Sequence, residues 1–218
     1  AEIANKTDVV LTSVAGNEKA IGYISLGALN DTVKAVKVDG AEATVDNVKA
    51  GAYKLSRPFN IATKGEPTGV AKDFISFILS KEGQAVVTDN KYIAVNDAAE
   101  SFVSDGSSGQ IAVGGSSSVS PVMEKLIEAY KSVNPNASID LQTSDSTSGM
   151  TGAMDGTFAI GMASRELKDE EAAQLTGTAI ALDGIAVIVN PANTIDELSM
   201  DQIKSIYVGD ITDWGDLA

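Results

Sequence analysis

The stretch QIAVGGSSSVSPVMEKLIEAYKSV (110–133) decides the fold class. Its first six residues form a short apolar run that ends in glycine, which is typical of a buried strand. After the polar turn SSSVSP (116–121), apolar residues recur at helical spacing as far as Val133. Pro121 suits the first turn of that helix, and NPN (134–136) ends it. The stretch therefore predicts a strand, a hydroxyl-rich turn and a helix in succession.

The same pattern occurs twice more in the residues that follow. ASIDLQ (137–142) predicts a strand, TSDSTSG (143–149) is a second polar turn, and 150–156 is at best a short helix. TFAIGMA (157–163) predicts a third strand, and SRELKDEEAAQL (164–175) predicts a third helix. Three consecutive strand–turn–helix units indicate an α/β protein with a parallel sheet.

The remaining segments fit the same fold class. IALDGIAVIVNPAN (180–193) predicts a long apolar strand, and SMDQIKSIYVGD (199–210) predicts a helix. GVAKDFISFILSKEGQAVV (69–87) is the clearest helix, and KYIAV (91–95) predicts a strand. NDAAESFVSDGSSG (96–109) is polar and rich in Gly and Ser, which is the composition of a linker.

Composition excludes several classes of function. The chain has 218 residues and a net charge of −14, so we expect no nucleic-acid partner, because binding to phosphate backbones needs clustered basic charge. It has no Cys and no His, which removes Cys nucleophiles, Ser-His-Asp triads and nearly all zinc sites. We expect no cofactor and no metal. No apolar run is long enough to span a membrane, and the N-terminus has no signal-peptide pattern, so a soluble chain without a signal peptide is expected.

Hydroxyl-rich turns follow all three of the predicted parallel strands. They lie at 116–118, at 146–149 and at Ser164. In a parallel α/β sheet such turns meet at the carboxyl edge, where ligands bind. Helix N-termini present free N–H groups there, and hydroxyls add donors, so the pattern predicts an anion site with little formal positive charge. Arg165 could add a bidentate contact to an oxyanion.

Each of these features also has an ordinary structural explanation. Ser and Thr before helices are common N-caps in any α/β protein. Neither the phosphate-loop nor the dinucleotide glycine fingerprint is present. The charged run 168–171 is interpreted as a solvated first helical turn, and Asp210, Asp213 and Asp216 as parts of a surface loop rather than a cation site.

Several segments together resemble the phosphate-binding proteins of Pst ABC transporters. They include QIAVGGSSSVSPVMEKLIEAY, TFAIGMASRELKDEE, ALDGIAVIVNPAN, IYVGDITDWGDLA, AIGYISLGAL, YKLSRPFNIATKGEP and FISFILSKEGQAVV, which cover nearly the whole chain. The resemblance implies capture of inorganic phosphate without chemistry and delivery to a membrane ABC permease. It also implies an extracytoplasmic location, either periplasmic or as a cell-surface lipoprotein.

The order of the segments departs from that family. The part like 110–218 comes first in the family and the part like 1–100 comes last, with SDGSSG (104–109) here at the join. This predicts a circular permutation, and the Gly/Ser join suggests an engineered protein. A family strand with a Ser-Gly-Thr-Arg turn is not found, so we expect a truncated second lobe. A missing strand leaves an open edge, which predicts a homodimer or strand exchange between copies.

The resemblance implies a two-lobe α/β architecture of the periplasmic-binding-protein type II, circularly permuted and with its second lobe incomplete. The first lobe would be 58–185, and the second would combine 1–57 with 186–218, with ligand in the cleft between them. The implied ligand-binding residues are Ser117, Ser118, Val119, Ser146, Thr147, Ser148, Ser164 and Arg165.

Three alternatives remain beside phosphate capture. The first is a permuted and truncated scaffold of the family with weak or no phosphate binding. The second is a binder of another oxyanion or small ligand. The third is an enzyme with a Ser–Lys or carboxylate mechanism, which is disfavoured because no S-x-x-K motif lies at a strand–helix turn.

Overall fold

The computed structural model describes residue 4 and residues 6–217. The helices are α1 (Thr7–Ala15), α2 (Val45–Lys49), α3 (Gly69–Ile78), α4 (Lys81–Asp89), α5 (Ser120–Val133), α6 (Ser146–Asp155), α7 (Asp169–Ala172) and α8 (Met200–Val208). The strands are β1 (Ile21–Ser25), β2 (Lys34–Ala35), β3 (Lys37–Val38), β4 (Ser56–Thr63), β5 (Gly109–Ser116), β6 (Ala137–Ser144), β7 (Ile160–Ala163), β8 (Thr176–Val189) and β9 (Glu197–Leu198). Short 3-10 turns cover Leu26–Ala28 and Trp214–Leu217.

The chain divides into two compact units. One is continuous, Arg57–Asp183, and the other combines Ala1–Ser56 with Gly184–Ala218. The chain passes between them inside β4 and again inside β8. That these units are the two lobes of a ligand-binding cleft stays a prediction.

The continuous unit contains the predicted parallel strands. β5 pairs in parallel with β6 on one side and with β7 on the other. β4 then pairs with β7 in the antiparallel direction over residues 60–62. The mixed α/β fold class is therefore confirmed, although the sheet of this unit is not purely parallel.

Helix α5 supplies much of the core of this unit. Its residues Val122, Met123 and Leu126 are fully buried, as expected for the i, i+3, i+4 spacing that predicted the helix. They join Phe74 of α3 and Ile160 of β7 in one hydrophobic cluster. Pro121 lies in the first turn of α5, where its missing N–H leaves no hydrogen bond unmade.

Two glycines allow α6 to pack directly on the sheet. A Cβ added at Gly149 would lie 2.7 Å from the Cα of Gly115 and 2.7 Å from the carbonyl oxygen of Met162. Gly115 itself has φ +137, a conformation that disfavours any side chain. The first turn of α6 is thereby held against the carboxyl ends of β5 and β7.

The segment before β5 is not a loose linker. The buried carboxylate of Asp73 on α3 accepts hydrogen bonds from the hydroxyl of Ser104 (2.8 Å) and from the backbone N–H of Asp105 (2.9 Å). It also accepts from the Tyr130 hydroxyl (2.6 Å) and the Asn134 amide (3.1 Å) of α5 and the residue after it. We call these groups the Asp73 cluster, and they hold the join predicted at 104–109 against two helices.

Four further local predictions are wrong. The turn predicted over 143–149 is the end of β6 and the first turn of α6, which begins at Ser146 because Asp145 caps it. The helix predicted over 69–87 is two helices, because the chain turns at Leu79 and Ser80, and the Ser80 hydroxyl caps α4 by accepting from the N–H of Gly83. The third predicted helix forms only over Asp169–Ala172. The strand predicted at 91–95 is reduced to a single bridge between Ile93 and Leu182.

The discontinuous unit has its own core and several paired strands. β1 pairs antiparallel with residues 185–189 of β8, β2 pairs with 188–189, and β3 pairs with β9. The apolar cluster there includes Val14 of α1, a helix that the sequence analysis did not predict. The Trp214 indole N–H donates to the carbonyl oxygen of Lys19 (3.1 Å) and ties the C-terminal turn to this unit. None of the described helices is long and apolar enough to cross a membrane.

Candidate functional site

The three hydroxyl-rich turns come together at the carboxyl ends of β5, β6 and β7. The Ser116 hydroxyl, at the end of β5, donates to the Ser164 hydroxyl just after β7 (3.0 Å). The backbone N–H of Ser164 in turn donates to the hydroxyl of Ser146 at the start of α6 (3.1 Å). We call Ser116, Ser118, Ser146, Thr147 and Ser164 the hydroxyl cradle.

Hydrogen bonds within the cradle form a directed chain. The N–H of Ser118 donates to the hydroxyl oxygen of Ser116 (3.3 Å), and the Ser116 proton is given to Ser164. A serine hydroxyl has one proton and two lone pairs. Ser164 therefore accepts from Ser116 and keeps its own proton for another acceptor. Such chains polarise their members and strengthen the last donor.

The backbone of the first turn is satisfied within the protein. The N–H of Ser117 donates to the carbonyl of Ser144 (3.0 Å), and the N–H of Val119 donates to the carbonyl of Ser116 (3.0 Å). Val119 is fully buried, whereas Ser117 and Ser118 are half-buried. The side chain of Ser118 is thus the group of this turn that is best placed to meet a ligand.

Helix α6 begins with a carboxylate cap that the sequence analysis missed. Asp145 accepts from the backbone N–H of Ser148 (3.0 Å) through one oxygen and from its hydroxyl (2.7 Å) through the other. These bonds from Ser148 hold the pKa of Asp145 below its ordinary value, since they stabilise the charged carboxylate. Both donors of Ser148 are engaged by this cap.

The guanidinium of Arg165 is held by a buried carboxylate. Its two terminal nitrogens donate to the two oxygens of Glu171 at 2.7 and 2.8 Å, and they also donate to the carbonyl of Glu166 (2.9 Å) and, at 3.4 Å, to the Thr147 hydroxyl. Glu171 is only 3% exposed. The hydrogen bonds from Arg165 lower the pKa of Glu171, and those to Glu171 raise the pKa of Arg165. The interpretation of 168–171 as a wholly solvated turn is therefore wrong for Glu171.

Asn60 fixes the same turn from the neighbouring strand. It lies on β4 opposite Ala163 and is 5% exposed. Its amide donates to the carbonyl oxygen of Arg165 (3.0 Å). No local signal in the sequence marks Asn60, because its partner lies 105 residues further along the chain.

All eight residues predicted to bind ligand lie in or beside these turns of the continuous unit. Contact of any of the eight with an anion stays a prediction. Donors of Ser117, Val119, Ser148 and Arg165 are already used inside the protein. Among the described residues, no group of three or more Asp or Glu side chains is arranged to hold a metal ion.

A family model described as a PBP superfamily domain matches residues 1–82 and 101–218 of the chain. The chain belongs to the PBP superfamily. Phosphate-binding protein PstS 2 of Streptococcus agalactiae serotype V is 51% identical to this chain over 220 residues. The match covers 100% of this chain and 75% of the relative. Phosphate-binding protein PstS 2 of Streptococcus pneumoniae serotype 4 is 49% identical over 214 residues, covering 98% of this chain and 74% of the relative.

A solved structure supports the architecture of this PBP superfamily chain. It is the phosphate-binding protein of a phosphate ABC transporter from Streptococcus pneumoniae, with a TM-score of 0.80 and 48% sequence identity. The match covers 100% of this chain and 85% of that one. The periplasmic-binding-protein-like fold expected from the sequence is confirmed. The circular permutation and the engineered origin stay predictions.

Proposed function

We propose that this chain binds inorganic phosphate and acts as the solute-binding component of an ABC phosphate importer. The observation that carries the proposal is the identity of 51% and 49%, over 100% and 98% of this chain, to proteins named phosphate-binding protein PstS 2, with the hydroxyl cradle inside the matched region. The chain binds and releases its ligand without chemistry. The absence of Cys and His from the sequence supports this part of the proposal, because it removes the usual activated nucleophiles and bases.

The anion is held by neutral donors at helix N-termini. Ser118, Thr147 and Ser164 supply hydroxyl donors to it from three turns, beside the N-terminus of α6, which Asp145 caps. Ser117, Val119, Ser146 and Ser148 complete the walls, and Arg165 lies at the rim. Because these donors act at contact range, the net charge of −14 does not prevent binding.

As the solute-binding component of an importer, the protein acts outside the cytoplasm and delivers phosphate to a membrane permease. We propose further that the order of the segments is a circular permutation of the family order, and that the Gly/Ser join at 104–109 is engineered.

Self-association through the discontinuous unit is a further part of the proposal. β1 lies at the end of the strand order among the described residues, and an open strand edge can pair with another chain. Light scattering at rising protein concentration should show a dimer. A monomer at every concentration would remove this part and leave phosphate binding untouched.

Calorimetric titration of inorganic phosphate into the stripped protein tests the central proposal. Heat of binding should appear in the parent and vanish in the double variant Ser118→Ala/Thr147→Ala. Ser132→Ala is the matched control, since Ser132 lies at the far end of α5 and its hydroxyl bonds only to the carbonyl of Glu128. A parent that gives no heat with phosphate would overturn the proposal.

The same titration separates the alternative functions. A folded parent that binds neither phosphate nor sulfate would be a scaffold of the family that has lost binding. Binding of sulfate in preference to phosphate would indicate a different oxyanion. Hydrolysis of an ester or phosphoester that disappears in Ser164→Ala would revive the enzyme interpretation.

A further inference from the structure

We propose that Arg165 serves anion binding as a positioning residue for the Thr147 hydroxyl, and that its guanidinium makes no two-pronged contact with the anion. This inference rests on the proposed function. It concerns how the site achieves binding. A lone arginine beside an anion site is ordinarily expected to be a direct cationic ligand, and the inference assigns Arg165 a different role.

The guanidinium has no free pair of N–H groups with which to make a two-pronged contact. An arginine has five N–H groups, and four of those of Arg165 already donate: two to Glu171, one to the Glu166 carbonyl and one to Thr147. Any two-pronged contact with an oxyanion must displace at least one of these partners. Release of Glu171 would leave a buried carboxylate without its counter-charge, which is among the most costly changes in a protein interior.

The charges around Arg165 are also balanced without a ligand. Glu171 neutralises the guanidinium directly, and the carboxylate of Asp145 lies close enough to stabilise its charged form further. Among these three groups the sum is one negative charge. The attraction for an anion therefore comes from oriented dipoles at this rim, not from a free positive charge.

Thr147 is the group through which Arg165 acts. Its hydroxyl oxygen accepts from the guanidinium at 3.4 Å, so its single proton points away from Arg165. Ser164 is oriented in the same manner, because it accepts from Ser116. In both cases one lone pair is occupied by an internal donor, and the hydroxyl is left as a donor to the ligand.

The arginine is itself fixed from two directions. Glu171 holds the guanidinium, and its carboxylate also accepts from the backbone N–H of Lys168 (2.9 Å) in the capping box of α7. Asn60 holds the backbone carbonyl of Arg165 from β4. A side chain fixed at both ends suits orientation of a neighbour better than capture of a mobile ion.

A double-mutant cycle read out by phosphate calorimetry tests the inference. Arg165→Met should weaken binding by about threefold to tenfold, and Thr147→Ala by about tenfold, the effects of one hydrogen bond. The double variant should bind no more weakly than Thr147→Ala alone, since Arg165 then has nothing to orient. Arg165→Lys should behave like Arg165→Met, because an ammonium cannot hold Glu171 with two prongs and reach Thr147 as well.

Salt dependence gives a second readout, which separates positioning from a direct charged contact. Raising KCl should change the dissociation constant by the same factor in the parent and in Arg165→Met/Glu171→Gln, in which the net charge of the pair is unchanged. Thermal unfolding checks that each variant is folded, and Arg165→Met/Glu171→Gln replaces Arg165→Met if the unpaired glutamate prevents folding.

The outcomes distinguish the two levels of the proposal. A parent that binds no phosphate overturns the proposed function and this inference together. A parent that binds phosphate, with a loss above about 100-fold in Arg165→Met that adds to the Thr147→Ala loss, overturns only the inference and makes Arg165 a direct ligand. A steeper salt dependence in the parent than in Arg165→Met/Glu171→Gln would have the same meaning.

Discussion

Strand β5 has a polar cluster at each end, and the two clusters differ in what they leave unused. At its amino end the Asp73 cluster is closed, since one buried carboxylate accepts from Ser104, Asp105, Tyr130 and Asn134. At its carboxyl end the hydroxyl cradle is an open chain, in which Ser164 accepts from Ser116 and Thr147 accepts from Arg165, so each of these two keeps its proton for another acceptor. A closed cluster stabilises the fold, whereas an open one retains capacity for a ligand.

The largest effect should come from breaking the closed cluster. Asp73→Ala removes the shared acceptor and leaves the Tyr130 hydroxyl and the Asn134 amide buried without it. We expect the free energy of unfolding to fall by about 3 kcal/mol. Urea unfolding measures this, with Asp89→Ala as an exposed control on α4. Phosphate affinity of the folded fraction should be unchanged, and a loss of affinity as large as the loss of stability would show that the two ends of β5 are not independent.

Gly149→Ala should affect both stability and binding. Its new methyl group would meet the Cα of Gly115 and the carbonyl of Met162, so the first turn of α6 must move away from the sheet. We expect a loss of about 2 kcal/mol in unfolding free energy, together with a loss of phosphate affinity, because the donors of α6 move with it. Gly16→Ala, where the nearest atom is a single backbone oxygen at 3.2 Å, is the control. Unchanged calorimetry in Gly149→Ala would contradict this account of the cradle.

Ser116→Ala should have a smaller effect, and mainly on binding. Ser116 does not need to touch the ligand, since its role is to donate to Ser164 and accept from Ser118. Its loss should weaken phosphate binding by about fivefold, or about 1 kcal/mol, as Ser164 becomes free to turn its proton inward. Calorimetry of this variant beside Ser132→Ala decides the point, and an affinity equal to that of the parent would argue against a directed chain.

The smallest expected change is in the response to acid. The folded-state pKa of Glu171 is lowered by Arg165, so this group contributes stability above its ordinary pKa of about 4.3, and the contribution is lost as pH falls through the lower folded value. The free energy of unfolding, measured with urea from pH 7 downward, should therefore decrease less steeply in Glu171→Gln than in the parent below about pH 4.3. Glu170→Gln, its exposed neighbour, should follow the parent curve. Identical slopes in the parent and Glu171→Gln would show that the pair does not hold the lowered pKa.

The sequence predicted the three parallel strand–turn–helix units because their signals are local. Apolar periodicity and the hydroxyl turns at 116–118 and 146–149 lie within a few residues of the elements they define. The predictions that were wrong depend on distant partners. The break after α3 is stabilised by Gln84, whose side-chain amide donates to the carbonyl oxygen of Ile180. The course of 104–107 depends on the hydrogen bonds that this segment makes to Asp73.

The prediction of the site shows the same contrast between local signals and distant partners. The hydroxyls could be named from the turns, but the groups that orient them could not. Asp145 as the cap of α6, Glu171 as the partner of Arg165 and Asn60 on β4 are each polar residues of ordinary appearance. Their roles arise from tertiary neighbours, and a single sequence gives no periodic signal for such pairs.

The position of Trp214 allows the melting of the discontinuous unit to be followed separately. It is the single tryptophan of the chain, and its indole is tied to Lys19 within that unit. Intrinsic fluorescence excited at the indole band therefore follows the melting of this unit. Tyrosine circular dichroism reports on both units, because Tyr92 and Tyr130 lie in the core of the continuous unit and the other three tyrosines lie in the discontinuous one. Coincident transitions from these two probes would mean that the whole chain melts as one cooperative body, and separate transitions would give each unit its own melting temperature.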